Sequence, residues 1–99
     1  MMQVIFSKRA KVRLENLLDF LEKEWSKKSK NDFINKLDRS IAQISKLPVS
    51  CPESKKFKGL FKCVVTRQTT IFYRIKDQTI QVITLFDTRQ NPNKLNKEL

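Results

Sequence analysis

The sequence predicts an α+β fold with the order β-α-α-β-β-β, in which a helical hairpin packs on a mainly antiparallel four-stranded sheet. Two patterns predict this fold. Between residues 8 and 47, apolar residues recur at helical spacing in two successive stripes. Between residues 70 and 86, two runs alternate with the period of two that is typical of strands, and a short polar turn separates them.

The chain opens with a short apolar run at residues 3–6, which predicts the first strand. Ser7 then supplies an N-cap side chain for a helix. This helix carries one apolar stripe, made of Ala10, Leu14, Leu17, Leu18, Leu21 and Trp25. Because Trp25 belongs to the stripe, we expect its ring to be a core anchor.

A polar cluster at residues 26–31 interrupts the stripe, and Ser29 with Asp32 three residues later matches a capping box for a second helix. The second stripe consists of Phe33, Ile34, Leu37, Ile41 and Ile44. It ends near Leu47 because Pro48 follows. We expect an antiparallel helical hairpin. A DNA-binding helix-turn-helix is disfavoured, since the stripes are long and the linker is lysine-rich rather than a short glycine-containing turn.

The second half of the chain predicts a loop and three strands. Two prolines, the only glycine and three lysines make residues 48–59 an exposed basic loop. Residues 60–65 are β-rich, and residues 71–75 and 80–86 form a hairpin whose turn, Lys76-Asp77-Gln78, lacks an Asn-Gly or Asp-Gly pair. Because both faces of the last run are largely apolar, we expect that strand to be central. A polar tail, residues 88–99, contains Pro92.

Length and composition indicate a single domain over residues 1–99, a size that buries roughly two-thirds of the unfolded surface. No apolar run approaches the roughly 18 residues of a membrane span, and the start does not match a secretory signal. We therefore expect a cytoplasmic protein with no membrane partner. Cys51 and Cys63 fit neither a CxxC motif nor a dense disulfide framework, so we expect reduced structural thiols.

The charge balance indicates a polyanionic partner. Lys and Arg number 21 against 10 Asp and Glu, which gives a net charge of +11, and such a surface attracts nucleic acid or an acidic protein segment. Histidine is absent, which removes the commonest general base and metal ligand. A single glycine excludes a glycine-rich phosphate loop, and no Cys or His cluster has metal-binding spacing. We expect neither a cofactor nor a metal ion.

The remaining candidates for chemistry are basic side chains on and around the predicted strands. Arg and Lys stabilise negative charge on a phosphoryl group without a metal, and they also dock acidic peptides. Arg89 is the strongest candidate for a functional residue, because it follows Asp87 at the abrupt end of an apolar strand. Arg89, Arg74 and Lys58 are the predicted target-binding residues. The whole basic set is Lys55, Lys56, Lys58, Lys62, Arg67, Arg74 and Arg89.

The runs LFKCVVTRQTTIFYRI (residues 60–75) and VITLFDTRQNP (residues 82–92), with the opening strand and helical hairpin, resemble the ParE/RelE superfamily of toxins from bacterial type II toxin-antitoxin systems. The resemblance rests on the pattern FYR-I, followed by a short polar turn and an apolar strand that ends in an Arg-containing polar segment. This resemblance implies a small, basic, cytoplasmic toxin. It also implies a cognate acidic antitoxin whose extended, amphipathic segment wraps the toxin.

The superfamily divides by target. RelE-like members cut messenger RNA on the ribosome with basic residues on the second strand, an arginine early in the third, and an arginine followed by a tyrosine near the C-terminus. Lys62 and Arg89 match two of these positions. Thr70 occupies approximately the third-strand arginine position, with Arg67 and Arg74 as nearby substitutes.

Two other features of RelE-like nucleases are missing. No aromatic residue follows Phe86, so the stacking tyrosine has no counterpart, and Glu53 is a poor match to the loop glutamate of some nucleases. These departures favour the ParE-like branch, which implies a non-catalytic inhibitor of DNA gyrase. Two alternatives stay open. One is a metal-independent endonuclease acting on the ribosome and its mRNA, with Lys62, Arg67 and Arg89 as catalytic candidates. The other is a non-toxic basic nucleic-acid-binding module.

Overall fold

Six elements follow one another in the predicted order: β1 (Gln3–Phe6), α1 (Lys8–Glu24), α2 (Lys27–Lys46), β2 (Phe61–Val64), β3 (Thr69–Lys76) and β4 (Thr79–Asp87). The computed structural model describes residues 1–89. The predicted polar tail lies outside the described residues from residue 90 onward, so one domain over residues 1–99 stays a prediction. No helix within residues 1–89 is both long and apolar enough to cross a membrane.

The strands form one mixed sheet in the order β1-β4-β3-β2. β4 runs parallel to β1 and antiparallel to β3, and β3 is antiparallel to β2. This confirms the mainly antiparallel sheet and the central place of β4. The hairpin turn is tighter than its sequence suggests: Asp77 and Gln78 both have positive φ, 52° and 62°. This is the two-residue geometry that matches the twist of paired strands.

The helix starts partly differ from the prediction. Ser7 is the N-cap of α1, as predicted, and its Oγ accepts a hydrogen bond from the N–H of Ala10 at 3.0 Å. The N-cap of α2, however, is Ser26, whose Oγ accepts from the N–H of Ser29 at 3.0 Å. The predicted linker at residues 26–31 is therefore mostly the first turn of α2. The first turn, residues 27–30, is polar and contributes no residue to the apolar core, so the stripe cannot mark its start.

The apolar stripes of both helices pack on one face of the sheet. The buried core comprises Ala10, Leu17, Leu21, Phe33, Leu37, Ile44, Cys51, Cys63, Ile71, Tyr73, Ile80, Val82 and Leu85, with Leu14, Leu18 and Ile41 partly buried against it. Both stripes face the sheet, which confirms the layered α+β architecture.

Trp25 is not a core anchor, and that expectation is wrong. Its side chain is 59% exposed. α1 ends at Glu24, and Trp25 is the C-cap residue, with φ −121° and ψ −87°. The backbone leaves helical geometry there and turns into α2. Consequently Trp25 no longer follows the stripe towards the sheet, and its ring lies near the end of β4 instead.

Candidate functional site

A buried carboxylate ends β4. The Asp87 side chain is 1% exposed and forms a two-point ion pair with Arg89: Nη2 to Oδ2 at 2.7 Å and Nε to Oδ1 at 3.0 Å. The Arg89 backbone N–H also donates to Oδ1 at 2.9 Å, and the Thr69 hydroxyl donates to Oδ2 at 2.6 Å. Thr69 is in position because β3 pairs it directly with Asp87. The sheet register therefore builds this cluster.

The Asp87 carboxyl is held as a carboxylate. Burial alone raises its pKa, but hydrogen bonds from the Arg89 side chain, from Thr69 and from the Arg89 backbone, together with the positive charge of Arg89, leave the pKa below its ordinary value. A carboxylate that already accepts four hydrogen bonds is a poor general base. We conclude that Asp87 positions Arg89 rather than taking a proton.

Arg89 points back into the protein rather than straight into solvent. Its side chain is 20% exposed, and its guanidinium carbon lies 5.6 Å from the centre of the Trp25 ring. The ion pair with Asp87 uses two of the five guanidinium N–H donors. The arrangement thus presents a fixed cation beside an exposed aromatic face, which is favourable for stacking and for holding an anion.

Trp25 and Arg89 line a groove of about 220 Å³ between the helical hairpin and the β2–β3 turn. Both helices, the β2–β3 turn and the segment after β4 contribute to its lining, which consists of Leu21, Trp25, Ser29, Asp32, Phe33, Lys36, Thr66, Gln68 and Arg89. A backbone hydrogen bond from the Thr88 N–H to the Gln68 carbonyl, 2.9 Å long, joins the turn to the end of β4. We call this feature the Trp25–Arg89 groove.

A second basic surface lies on the sheet face opposite the helices. Phe72 points to this face, because side chains alternate along a strand and its neighbour Ile71 points into the helical core. Phe72 is buried, and the loop residue Phe57 packs edge-on against it with ring centroids 6.0 Å apart. Lys62 is the register partner of Phe72, and Arg74 follows two residues later on the same face. Both side chains are exposed.

Lys58 extends this second surface. It is exposed in the basic loop, next to Phe57. Lys55 and Lys56 are exposed in the same loop, with the Lys56 Nζ 5.6 Å from the centre of the Phe57 ring. The Arg74 Nε donates to Gln81 Oε1 at 2.8 Å, which restrains its side chain. We call Lys58, Lys62 and Arg74 the outer basic face.

The predicted site residues therefore fall into two regions. Arg67 is exposed in the β2–β3 turn, at the same end of the sheet as Arg89. Arg74 lies five residues along β3 from Thr69, about 16 Å at strand spacing. Among the catalytic candidates, Arg67 and Arg89 share an end of the sheet, and Lys62 belongs to the outer basic face.

Sequence reasoning missed Trp25 and Thr69 as members of the site. The only signal for Trp25 was that Ser26, a strong N-cap type, follows it directly and implies that α1 ends there. Thr69 carried no signal, because its role depends on the β3–β4 register. Glu53 has a structural role, since its Oε1 accepts from the N–H of Gly59 at 3.0 Å. Gly59 has φ +86°, a conformation that favours glycine.

The Trp25–Arg89 groove offers a cation beside an aromatic ring, and the outer basic face offers three cations. Residues 1–89 contain no group of three or more Cys, Asp or Glu side chains placed to hold a metal ion. The groove and the outer basic face are suited to binding anions, either phosphates or carboxylates.

Comparisons with known proteins give one family match and several structures of similar fold. A family model described as the ParE toxin of the type II toxin-antitoxin system, parDE, matches residues 4–92. No curated protein sequence matches the chain.

Solved structures of similar fold include the chromosomal ParDE toxin-antitoxin system from P. aeruginosa, at 14% identity and a TM-score of 0.68, with 88% of this chain and 96% of that chain covered. The YoeB/ParE toxin from Agrobacterium tumefaciens matches at 15% identity and a TM-score of 0.63, covering 87% and 98%. The E. coli DinJ-YafQ complex matches at 11% identity and a TM-score of 0.61, covering 90% and 96%. At these identities the likeness shows a shared fold.

Proposed function

The chain belongs to the ParE toxin family of type II toxin-antitoxin systems, and from that premise we propose that it arrests growth in the cytoplasm by acting on DNA gyrase and is neutralised by a cognate acidic antitoxin. The observation that carries the proposal is the family match over residues 4–92. The missing C-terminal aromatic and the threonine at the third-strand arginine position also favour the ParE-like branch.

Target binding is assigned to Arg89, Arg74 and Lys58. The two-point pair with Asp87 fixes Arg89, so it loses little side-chain freedom when its remaining donors meet an anionic group. Arg74 is restrained by Gln81, whereas Lys58 is exposed in a loop. Arg89 is therefore the strongest single contact in the proposal, and Lys58 contributes mainly salt-dependent attraction.

The antitoxin partner is inferred from charge and from the structural neighbours. A net charge of +11 on a chain of 99 residues calls for an acidic partner segment. Two of the solved structures of similar fold are the ParDE toxin-antitoxin system from P. aeruginosa and the E. coli DinJ-YafQ toxin-antitoxin complex. Neutralisation by such a segment covers basic surface, so we expect the complex to weaken as salt concentration rises.

Expression of the chain alone is expected to kill or arrest cells, and co-expression with the product of the adjacent reading frame is expected to restore growth. The measurement is the number of colony-forming units before and after induction, with soluble protein verified by immunoblot. An unrelated acidic protein serves as control and should give no rescue. Normal growth at high levels of intact, soluble protein would refute the toxin function and leave the nucleic-acid-binding module.

A ribosome-dependent mRNA endonuclease is the second candidate, and one observation favours it. The stacking tyrosine of RelE-like members has no counterpart after Phe86, but Trp25 presents an exposed ring beside Arg89. A base stacked on Trp25 would place its phosphate near the guanidinium of Arg89. This candidate uses Arg89 and Arg67 at one end of the sheet, with Lys62 further along β2.

We expect purified protein to block supercoiling of relaxed plasmid by gyrase, and induced cells to show no codon-positioned cuts in translated messages. Plasmid gels and primer extension measure the two outcomes in parallel. Discrete cuts with normal supercoiling would overturn the gyrase assignment in favour of the endonuclease. In that case Trp25→Ala should abolish the cuts. Val12→Ala is the control and should not abolish them, because Val12 is an exposed apolar residue elsewhere on α1.

A further inference from the structure

The two cysteines lie opposite each other across a short antiparallel ladder. After α2 the basic loop returns alongside β2: the Lys62 N–H donates to the Pro52 carbonyl at 2.9 Å, and the Ser54 N–H donates to the Leu60 carbonyl at 2.6 Å. Between these bonds Glu53 pairs with Phe61. In an antiparallel ladder, the residue two positions before Glu53 lies opposite the residue two positions after Phe61. Cys51 therefore stands opposite Cys63.

The type of pairing suits a disulfide. The two hydrogen bonds lie on either side of Glu53 and Phe61, so Glu53 and Phe61 are a non-hydrogen-bonded pair. Pair types alternate along an antiparallel ladder, so the cysteine pair two residues away is also non-hydrogen-bonded. At such positions Cα atoms are about 4.5 Å apart and side chains point to the same face. Disulfides need Cα separations of roughly 4.4 to 6.8 Å. Pro52 between the pairs has no N–H, so a single hydrogen bond joins it to Lys62 and leaves room for adjustment.

The environment brings the two thiols into contact. Both cysteines are free and buried, Cys51 at 7% exposure and Cys63 at 4%, in the same core cluster. Burial raises the pKa of the Cys63 thiol to about 12, and a hydrogen bond with Cys51 adds to the shift. Tyr73 lies beside them and anchors the start of the loop, since its hydroxyl donates to the Pro48 carbonyl at 2.7 Å.

We propose that Cys51 and Cys63 form a dithiol site that a low-molecular-weight disulfide oxidises to an intramolecular disulfide, which fastens the basic loop to β2. The Cys51 sulfur attacks one sulfur of the small disulfide, whose S–S bond breaks and releases one small thiol. The Cys63 sulfur then attacks Cys51 Sγ and releases the second small thiol. Two protein thiols are oxidised, one small disulfide is reduced, and the two thiol protons leave on the released thiols.

The crosslink joins the parts of the chain that carry the outer basic face. Lys62 is adjacent to Cys63 on β2, and Lys58 lies in the loop that the disulfide would close. Oxidation would leave every charge in place while restricting how far the loop can move from the sheet. The site thus offers covalent control over the mobility of this basic surface.

The test incubates the folded protein with glutathione disulfide to equilibrium and measures intact mass, peptide maps and Tm. We expect a loss of about 2 Da, for two hydrogen atoms, a peptide linking Cys51 to Cys63, and a rise in Tm of about 10 °C from closing the loop. The equilibrium constant for oxidation of the two cysteines by glutathione disulfide should be at least about tenfold larger in buffer than in urea, because the fold brings the thiols together. Equilibrium is the readout, since the high pKa of Cys63 slows the second step.

Cys51→Ser and Cys63→Ser are the matched controls, and neither should show the mass loss or the rise in Tm. Disulfide-linked dimers as the main product, or glutathione adducts without the internal crosslink, would overturn the proposal. An equal equilibrium constant in buffer and urea would overturn it as well, because the folded structure would then contribute nothing to the pairing.

Discussion

Arg89→Ala is expected to lower the free energy of unfolding by about 3 kcal/mol, because it leaves the buried Asp87 carboxylate without its counter-ion. Thr69 and the backbone N–H of residue 89 still donate to the carboxylate. We therefore expect a loss of unfolding free energy at the lower end of the range found when one partner of a buried ion pair is removed. Urea unfolding at neutral pH measures the change. Arg74→Ala is the matched control, since Arg74 is exposed, and should cost no more than about 0.5 kcal/mol.

The companion variant Asp87→Asn separates charge from shape, and its stability in acid tests the same pair. The folded-state pKa of Asp87 is depressed, so its stabilisation is present above the unfolded pKa of about 3.9 and is lost as pH falls through the folded value. The stability difference between the parent and Asp87→Asn should therefore shrink below about pH 4. A difference that stays constant down to pH 2, or an Arg89→Ala variant as stable as Arg74→Ala, would contradict the role given to the pair.

This stability effect bears on the functional test of Arg89. A loss of toxicity in Arg89→Ala has two possible causes, a missing target contact and a smaller folded population. Toxicity is therefore best compared with Lys55→Ala at matched levels of folded protein, since Lys55 is exposed in the basic loop. Full toxicity of folded Arg89→Ala would remove Arg89 from the target-binding residues.

Leu17→Ala is expected to cost about 3 to 4 kcal/mol of unfolding free energy, because the side chain is completely buried between α1 and the sheet and its removal leaves a cavity. Leu18 is the matched control: it has the same chemistry, is its neighbour on the same helix, and is only partly buried. Leu18→Ala should cost at least about 1 kcal/mol less. Equal midpoints in urea for the two variants would show that the packing of α1 on β4 differs from the one described.

Local patterns were sufficient for the order of the elements and for the layered fold. Periodicity is a property of neighbouring residues, so the two helical stripes and the β3–β4 hairpin could be identified without knowing what they pack against. The central place of β4 followed from its two apolar faces in the same way. The boundary between the helices was harder, because Ser26 and Ser29 are equally good caps by type and only the backbone path selects Ser26.

What the sequence by itself determined is the α+β order of the elements, the strong positive charge and the resemblance to a toxin superfamily, since each depends on composition or on residues close together in the chain. Only the tertiary structure decided that Trp25 is exposed beside Arg89, that Asp87 turns the Arg89 guanidinium inward, and that Cys51 faces Cys63. Each of these depends on strand register or on where the chain turns. A shift of one residue in register reverses the face on which a side chain lies, and no local pattern specifies it to that precision.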